Sequence, residues 1–341
     1  MAKRASLLAY TVSRLILALP MLFILLTAVF VVLRIVPGDP ITALYGGRAP
    51  ADVVAAARAR YGLDRPYWDQ YVIYIRQIFT LNFGTSLGEI YRGKSVLDTI
   101  IQKLPATIEL SIGAMLVAST VGIFAGLVGG VNRDKAVDVA ARLYGTIIFA
   151  IPIFWMGLMF QLLFGVTLGW LPTSQRFGLT PPPHVTGLYT LDSILAGSWS
   201  NFVDAIKHLV LPCLTLGLYL SGFFTKTVRA NLLLTVDSDY AEAARARGVR
   251  RRAVVYRYAF RNALIPVVTV LGLQFAILFS GAVITERTFS WDGIGTLLLD
   301  SINSKDYPMI QGTIVVYAFI IILVSMVIDI INGLIDPRVR Y

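Results

Sequence analysis

The sequence predicts an all-α polytopic membrane protein, with six transmembrane helices and an extracytoplasmic lobe between the first and the second. Three observations carry that expectation. The 341 residues are 56% hydrophobic and 15% charged, a departure from soluble globular averages in the direction that several lipid-facing helices produce. Apolar runs close to the length that crosses a hydrocarbon core recur along the chain. Lysine and arginine gather in alternate connections between those runs.

In order, the runs are Leu15–Leu33, Ile108–Val131, Leu143–Leu168, Leu209–Thr225, Leu264–Ile284 and Ile310–Ile331. Lys3, Arg4 and Arg14 precede the first; Arg133, Lys135 and Arg142 fill the second-to-third connection. A basic series from Lys226 to Arg261 fills the fourth-to-fifth, and Arg338 and Arg340 follow the last. These positions share one face, which the positive-inside rule makes cytoplasmic together with both termini. Basic residues between Pro37 and Leu104 do not compete, because long translocated segments weigh little in orientation. The expected organisation is a tail and first helix over 1–36, the lobe over 37–104, five further helices over 105–336 and a cytoplasmic tail over 337–341. A net charge of +10 reports this topology, and no basic reading helix or interleaved aromatic platform points to nucleic acid.

Leu15–Leu33 is longer than a signal-peptide core and runs into Arg34 without a small-residue cleavage pattern, so it reads as a retained anchor. Cys213 is the only cysteine, which leaves no internal disulfide and no thiolate cluster to build. His184 and His208 fall in one external connection at a spacing that matches no short metal motif, and they read as solvated histidines. No metal site is expected.

The lobe begins at Pro37-Gly38-Asp39-Pro40, a turn that cannot continue a helix. Asp52 is placed to cap a helix through Val53, Val54 and Ala57 that Gly62 closes, and Tyr67 to Phe79 repeats apolar residues at helical spacing. Two roles stay open for this lobe, a contact surface for an external partner or packing against the spans. Gly88 to Ser95 matches the phosphate-loop pattern G-x-x-x-x-G-K-[ST]. Its context argues against nucleotide: Thr80 to Leu87 is no buried strand, and Pro105 is expected to interrupt the helix that follows Ser95.

The basic segment from Asp237 to Pro266 carries a helical pattern. Asp239 and Glu242 read as a capping box that starts a helix near Tyr240, the alanines 241, 243, 244 and 246 keep it slim, and Gly248 ends it after ~12 Å. After Arg250-Arg251-Arg252 a second helix is expected from Ala253 to Asn262, with Val254, Val255, Tyr258 and Ala259 on one side, before Pro266 opens the fifth span. Periodicity leaves two readings open, an amphipathic hairpin on anionic lipid or a docking element for a protein.

Glu242-Ala243-Ala244, followed after three residues by Gly248, resembles the EAA loop of membrane subunits of ATP-binding-cassette (ABC) importers. The segments 36–40 (VPGDP), 61–66 (YGLDRP), 82–87 (NFGTSL), 104–110 (LPATIEL) and 261–266 (RNALIP) are similar to the dipeptide/oligopeptide permease family, its first membrane subunit in particular. Together they reach across nearly the whole chain. The resemblance implies a type I ABC importer permease fold in a prokaryotic cell membrane. It also implies that Tyr240, Ala241, Glu242, Ala243, Ala244, Arg247 and Gly248 couple to an ATPase. No catalytic, cofactor or metal residue is implied in this chain, since ATP and Mg would be bound by a partner. The implied partners are a second homologous permease subunit, two cytoplasmic ATP-binding subunits or domains, an extracytoplasmic solute-binding protein and membrane lipid. Di- and oligopeptides are the implied solutes, with oligosaccharides, nickel chelates and opines as alternatives of the same class.

There are departures from the pattern. Tyr258 and Phe260 stand where importers in general have Ile-x-Leu-Pro, proline is delayed to Pro266, and the connection from Thr173 to Lys207 is longer than is typical. Pro152, Pro212, Pro266 and Gly281 are expected hinge points. Glu109 and Asp329, acids near span ends, are expected at the membrane interface. A stand-alone ion-coupled transporter, the competing class, needs midplane ionisable sites or an inverted repeat, and neither is clear in the sequence.

Overall fold

A computed structural model of the chain describes residues 7–34, 50–60 and 62–335; the expected Pro37–Pro40 turn, Tyr61 and the 337–341 tail lie outside them. In chain order the helices are α1 (Leu7–Arg34), α2 (Ala51–Arg60), α3 (Tyr67–Phe79), α4 (Val96–Val131), α5 (Ala136–Ala150) and α6 (Ile153–Phe160), which continues as a wide π-type segment, Gln161–Thr167. There follow α7 (Tyr189–Leu195), α8 (Trp199–Val236), α9 (Asp239–Ala246) and α10 (Arg251–Ala253). A second wide segment, Val254–Ala259, joins α10 to α11 (Phe260–Thr288), and α12 (Ile294–Asn303) and α13 (Tyr307–Ile335) complete the set. Among the described residues the one extended pairing is an isolated antiparallel bridge between Thr85 and Ser95.

Among the described residues five helices are long and apolar enough to cross a membrane, and they contain five of the six expected runs. The third run, Leu143–Leu168, is the exception. It breaks between α5 and α6, where the two halves bend by 98°. Pro152 lies in the break, at the N-cap of α6; it has no N–H to give back to the preceding turn and its ring excludes the carbonyl four residues earlier. Pro212 and Pro266, by contrast, lie inside continuous helices. Pro105 does not interrupt the helix after Ser95 either, because α4 is held along its length by other helices and tolerates one missing backbone bond.

α4 and α8 form the tightest pair. Ala114, Ala118, Gly122, Gly126 and Gly130 recur every fourth residue on α4, so one face is almost without side chains. A Cβ on Gly122 would stand 2.8 Å from the Ser221 carbonyl oxygen, and one on Gly126 would stand 2.7 Å from that of Thr225. Backbones this close exchange dispersion contacts where lipid supplies no hydrophobic drive between helices. The buried side chains opposite are Leu216, Leu220 and Phe224 of α8.

At the end of the bundle remote from α9, the lobe is part of the main core. Tyr74 of α3 and Phe83 join Leu26 and Phe30 of α1, Ile100 of α4 and Met309 of α13 in one cluster. The Tyr74 hydroxyl donates to the Leu26 carbonyl at 3.1 Å. The segment that imitates a phosphate loop is a hairpin turn, in which the Gly93 and Lys94 amides bond the carbonyls of Ser86 and Tyr91. Ser86 N–H bonds the Lys94 carbonyl, and Ser95 caps α4 by accepting from Asp98 N–H at 3.3 Å. Ser86 Oγ donates to Asp306 at 2.5 Å, which ties the hairpin to the start of α13.

Candidate functional site

The candidate site is α9 and the segments that hold it. α8 ends at Val236, Asp237 receives Arg133 Nη1 at 3.1 Å, and Ser238 takes the N-cap position. The expected capping box does not form. Ser238 turns its hydroxyl back to the Thr235 carbonyl at 2.6 Å, Asp239 is already the first helical residue, and the Glu242 N–H bonds the Ser238 backbone oxygen at 3.0 Å. Asp239 and Glu242 therefore act in the first turn as charges favourable to the helix dipole.

Closure at the other end is specific. The Gly248 N–H reaches the Arg245 carbonyl at 2.9 Å and the Val249 N–H reaches that of Ala244 at 3.2 Å, the pair of bonds of a Schellman motif. Gly248 has φ +77°, a left-handed backbone that a side chain strains. Val249 then packs with Ala244, Ala241 and Val254, which supplies the apolar contact the motif favours.

This packing divides the expected coupling residues. Ala241 and Ala244 are fully buried against Val254. Tyr240, Glu242, Ala243, Arg247 and Gly248 are exposed, so a polar and aromatic face looks away from the bundle. Arg245 donates to the Val236 carbonyl at 3.0 Å and Arg247 to that of Ala243 at 3.1 Å, so both guanidinium groups fold back onto nearby backbone.

The second expected helix, Ala253–Asn262, is not separate, because the wide turn carries the chain straight into α11. Val254, Val255 and Ala259 are buried as the spacing predicts, but Tyr258 is 38% exposed. A π-type turn takes more residues than an α turn, so the three-and-four spacing no longer marks a single face.

Below α9, Asp138 in the first turn of α5 is fully buried and accepts from Arg229 of α8 and from the Asp134 N–H at 3.0 Å. Sequence reasoning passed over Asp138. Its signal was an acid three residues after Lys135 and four before Arg142, at the start of an apolar run.

At the far end Glu109, an acid expected near the membrane interface, is enclosed by protein. Glu109 is buried, receives Arg176 Nε at 3.1 Å and Nη2 at 2.7 Å, and receives Thr190 N–H at 2.8 Å and Oγ1 at 2.6 Å. This draws the 168–198 connection over the ends of the spans, and the Arg176 guanidinium sits 4.0 Å from the Tyr189 ring centre. Glu286 was missed altogether: it is fully buried, with Thr107 Oγ1 at 2.5 Å and the Thr296 N–H at 2.8 Å. His208 is also buried rather than solvated, since α8 starts ten residues before the expected fourth span and carries the histidine into the bundle, Nδ1 lying 3.0 Å from the Asp204 carbonyl. His184 is exposed.

Burial alone would raise the pKa of Asp192, on α7. Hydrogen bonds from the Thr186 hydroxyl and the amides of Thr186, Gly187 and Val185 outweigh that effect and hold it below the ordinary aspartate value.

Comparison with known proteins places this architecture. The chain is 38% identical to the dipeptide transport system permease protein of Alkalihalophilus pseudofirmus over 98% of its own length and 100% of that protein's. It is 38% identical to the di/tripeptide transport system permease protein of Pseudomonas aeruginosa, covering 98% and 99% of the two chains. To the probable D,D-dipeptide transport system permease protein of Escherichia coli it is 39% identical over 91% of each. A crystal structure of an amino acid ABC transporter with histidines aligns with 71% of this chain and 94% of that one, at 16% identity and a TM-score of 0.46. Residues 7–111 match the N-terminal membrane component of binding-protein-dependent transport systems. Residues 118–341 match the binding-protein-dependent transport system inner membrane component, and the chain belongs to that family.

Proposed function

We propose that this chain is the membrane-spanning permease subunit of an ATP-driven importer of di- and oligopeptides, and that α9 is the element through which a separate ATPase drives it. The observation that carries this reading is the division of α9. Its small residues Ala241 and Ala244 fix the helix to the bundle, while Tyr240, Glu242, Ala243 and Arg247 face outward on a short rod of ~12 Å closed by Gly248. A face of that size suits a groove in another protein better than a lipid surface, because it has no exposed apolar stripe to bury in a bilayer.

On this reading the chain performs no bond chemistry. ATP and its Mg are held by two ATP-binding subunits or domains on the α9 side, which is cytoplasmic and carries both termini. A second homologous permease completes the path, and an extracytoplasmic binding protein delivers solute to the lobe end. Relatives named for dipeptides and di/tripeptides favour peptide over oligosaccharide, nickel chelate or opine.

The test is reconstitution with candidate permease, ATPase and binding-protein partners from the organism that encodes this chain. Peptide-stimulated ATP hydrolysis and a cross-link from Ala243→Cys to the ATPase are expected. Uptake driven by an ion gradient with no ATPase present would overturn the proposal.

A further inference from the structure

Between α4, α11 and α13 lies a lateral groove of about 390 Å³, walled by Met115, Leu271, Phe275, Val324, Val327 and Ile331. Ser119 is the one hydroxyl on its lining, and it already donates to the Met115 carbonyl at 2.7 Å. Gly272 lines the floor, where the absence of a side chain lets Ile328 lie against the α11 backbone. A peptide lodged here would bury amide groups without partners, at a cost of several kcal/mol each. Hydrocarbon has no such cost. Leu323, Val327 and Ile331 are partly exposed and form an open lip, so the groove is reached sideways.

Charge marks which end of an amphiphile belongs where. On α11 the three-and-four spacing puts positions 261, 265, 268, 272 and 275 on one face, which sets exposed Arg261 ~10 Å along the helix from groove-lining Val268, toward α9. Arg250, Arg251, Arg252 and Arg257 are exposed on the same side. From Leu323 to Ile331 the groove runs ~12 Å along α13, within the half-thickness of a ~30 Å hydrocarbon core.

We propose that this groove is a binding site for an anionic phospholipid of the leaflet on the α9 side, one acyl chain lying between α11 and α13 and the phosphate meeting Arg261. The proposal rests on membrane embedding and is independent of solute and ATPase.

To test it, the full chain, purified with the subunits it retains, is placed in phosphatidylcholine nanodiscs containing a trace of phosphatidylglycerol that carries a mid-chain diazirine. Irradiation should label peptides containing Met115, Phe275 and Val324 several-fold above the exposed apolar face of α5 at Leu143 and Ile147. Val324→Trp, or Leu271→Phe where the first variant does not fold, should remove that excess. Arg261→Gln should lower labelling by the phosphatidylglycerol probe and leave a phosphatidylcholine probe unchanged. Labelling equal to that of α5, or insensitive to both groove-filling variants, overturns the site; indifference to Arg261→Gln overturns its anionic selectivity. A cross-link from Val327→Cys, labelled with a thiol-attached benzophenone and irradiated, to a neighbouring permease subunit would show a protein helix in the groove and overturn the lipid altogether.

Discussion

Arg229 of α8 donates from Nε and Nη2 to the two carboxylate oxygens of Asp138 on α5, at 2.5 and 2.8 Å, so the helix that leads into α9 is clamped to the first turn of α5. Breaking one half of a buried pair leaves an uncompensated charge, at roughly 3–5 kcal/mol, whereas replacing both partners with apolar residues is close to neutral. Asp138→Ala should therefore destabilise the chain far more than Asp138→Leu combined with Arg229→Leu. Cys213, buried and unpaired in a disulfide, gives the readout: its reactivity with a thiol dye on heating should rise at a lower temperature in the single variant than in the double.

Gly248→Val is expected to strain the left-handed C-cap by about 1–2 kcal/mol and to loosen α9 without disturbing the spans. Membrane insertion and Cys213 protection should be unchanged while ATPase coupling falls. Coupling at the native level in reconstituted vesicles would count against α9 as the docking element.

Glu242 and Ala244 separate surface from support. Glu242→Ala removes no side-chain cap, so thermal stability should stay within about 0.5 kcal/mol while the affinity of the ATPase drops. Ala244→Leu overfills the contact with Val254 and should cost about 1–3 kcal/mol of local stability, read as faster hydrogen exchange over 239–249.

Asp192 should make the 184–196 segment sensitive to acid. Its folded pKa lies below the unfolded value of ~3.9, so its stabilising contribution is complete above that value and is lost as pH falls through the folded pKa. Hydrogen exchange over this segment, corrected for intrinsic rates, should accelerate selectively below about pH 4. Asp192→Asn should show the faster exchange at neutral pH and lose the acid step.

Hydropathy found where helices cross, because span length and apolar content are properties of local sequence. It did not find the break at Pro152, which the proline alone marked as a hinge, since Ile151 and Ile153 are as apolar as their neighbours and the window averages over the missing N–H. The core of α9 was legible from its alanines and Gly248, whose left-handed role is a one-residue signal. The cap was not: Ser238 and Asp239 are both good N-cap residues, and the choice was settled by where α8 ends. Glu109 and Glu286 were harder still. Their partners Arg176 and Thr107 are 67 and 179 residues away in sequence, so nothing local indicates that the charges are buried.

The wide turn at Val254–Ala259 stores a surplus residue inside an otherwise α-helical rod. Deleting one residue there would let the segment revert to ordinary helix with the lipid-facing and core-facing sides of α11 still aligned, whereas the same deletion between Ala263 and Val268 would rotate one part of the helix by ~100° against the other. Length variation among homologous chains should accordingly be absorbed at this turn, which leaves α9 and α11 each in its own register.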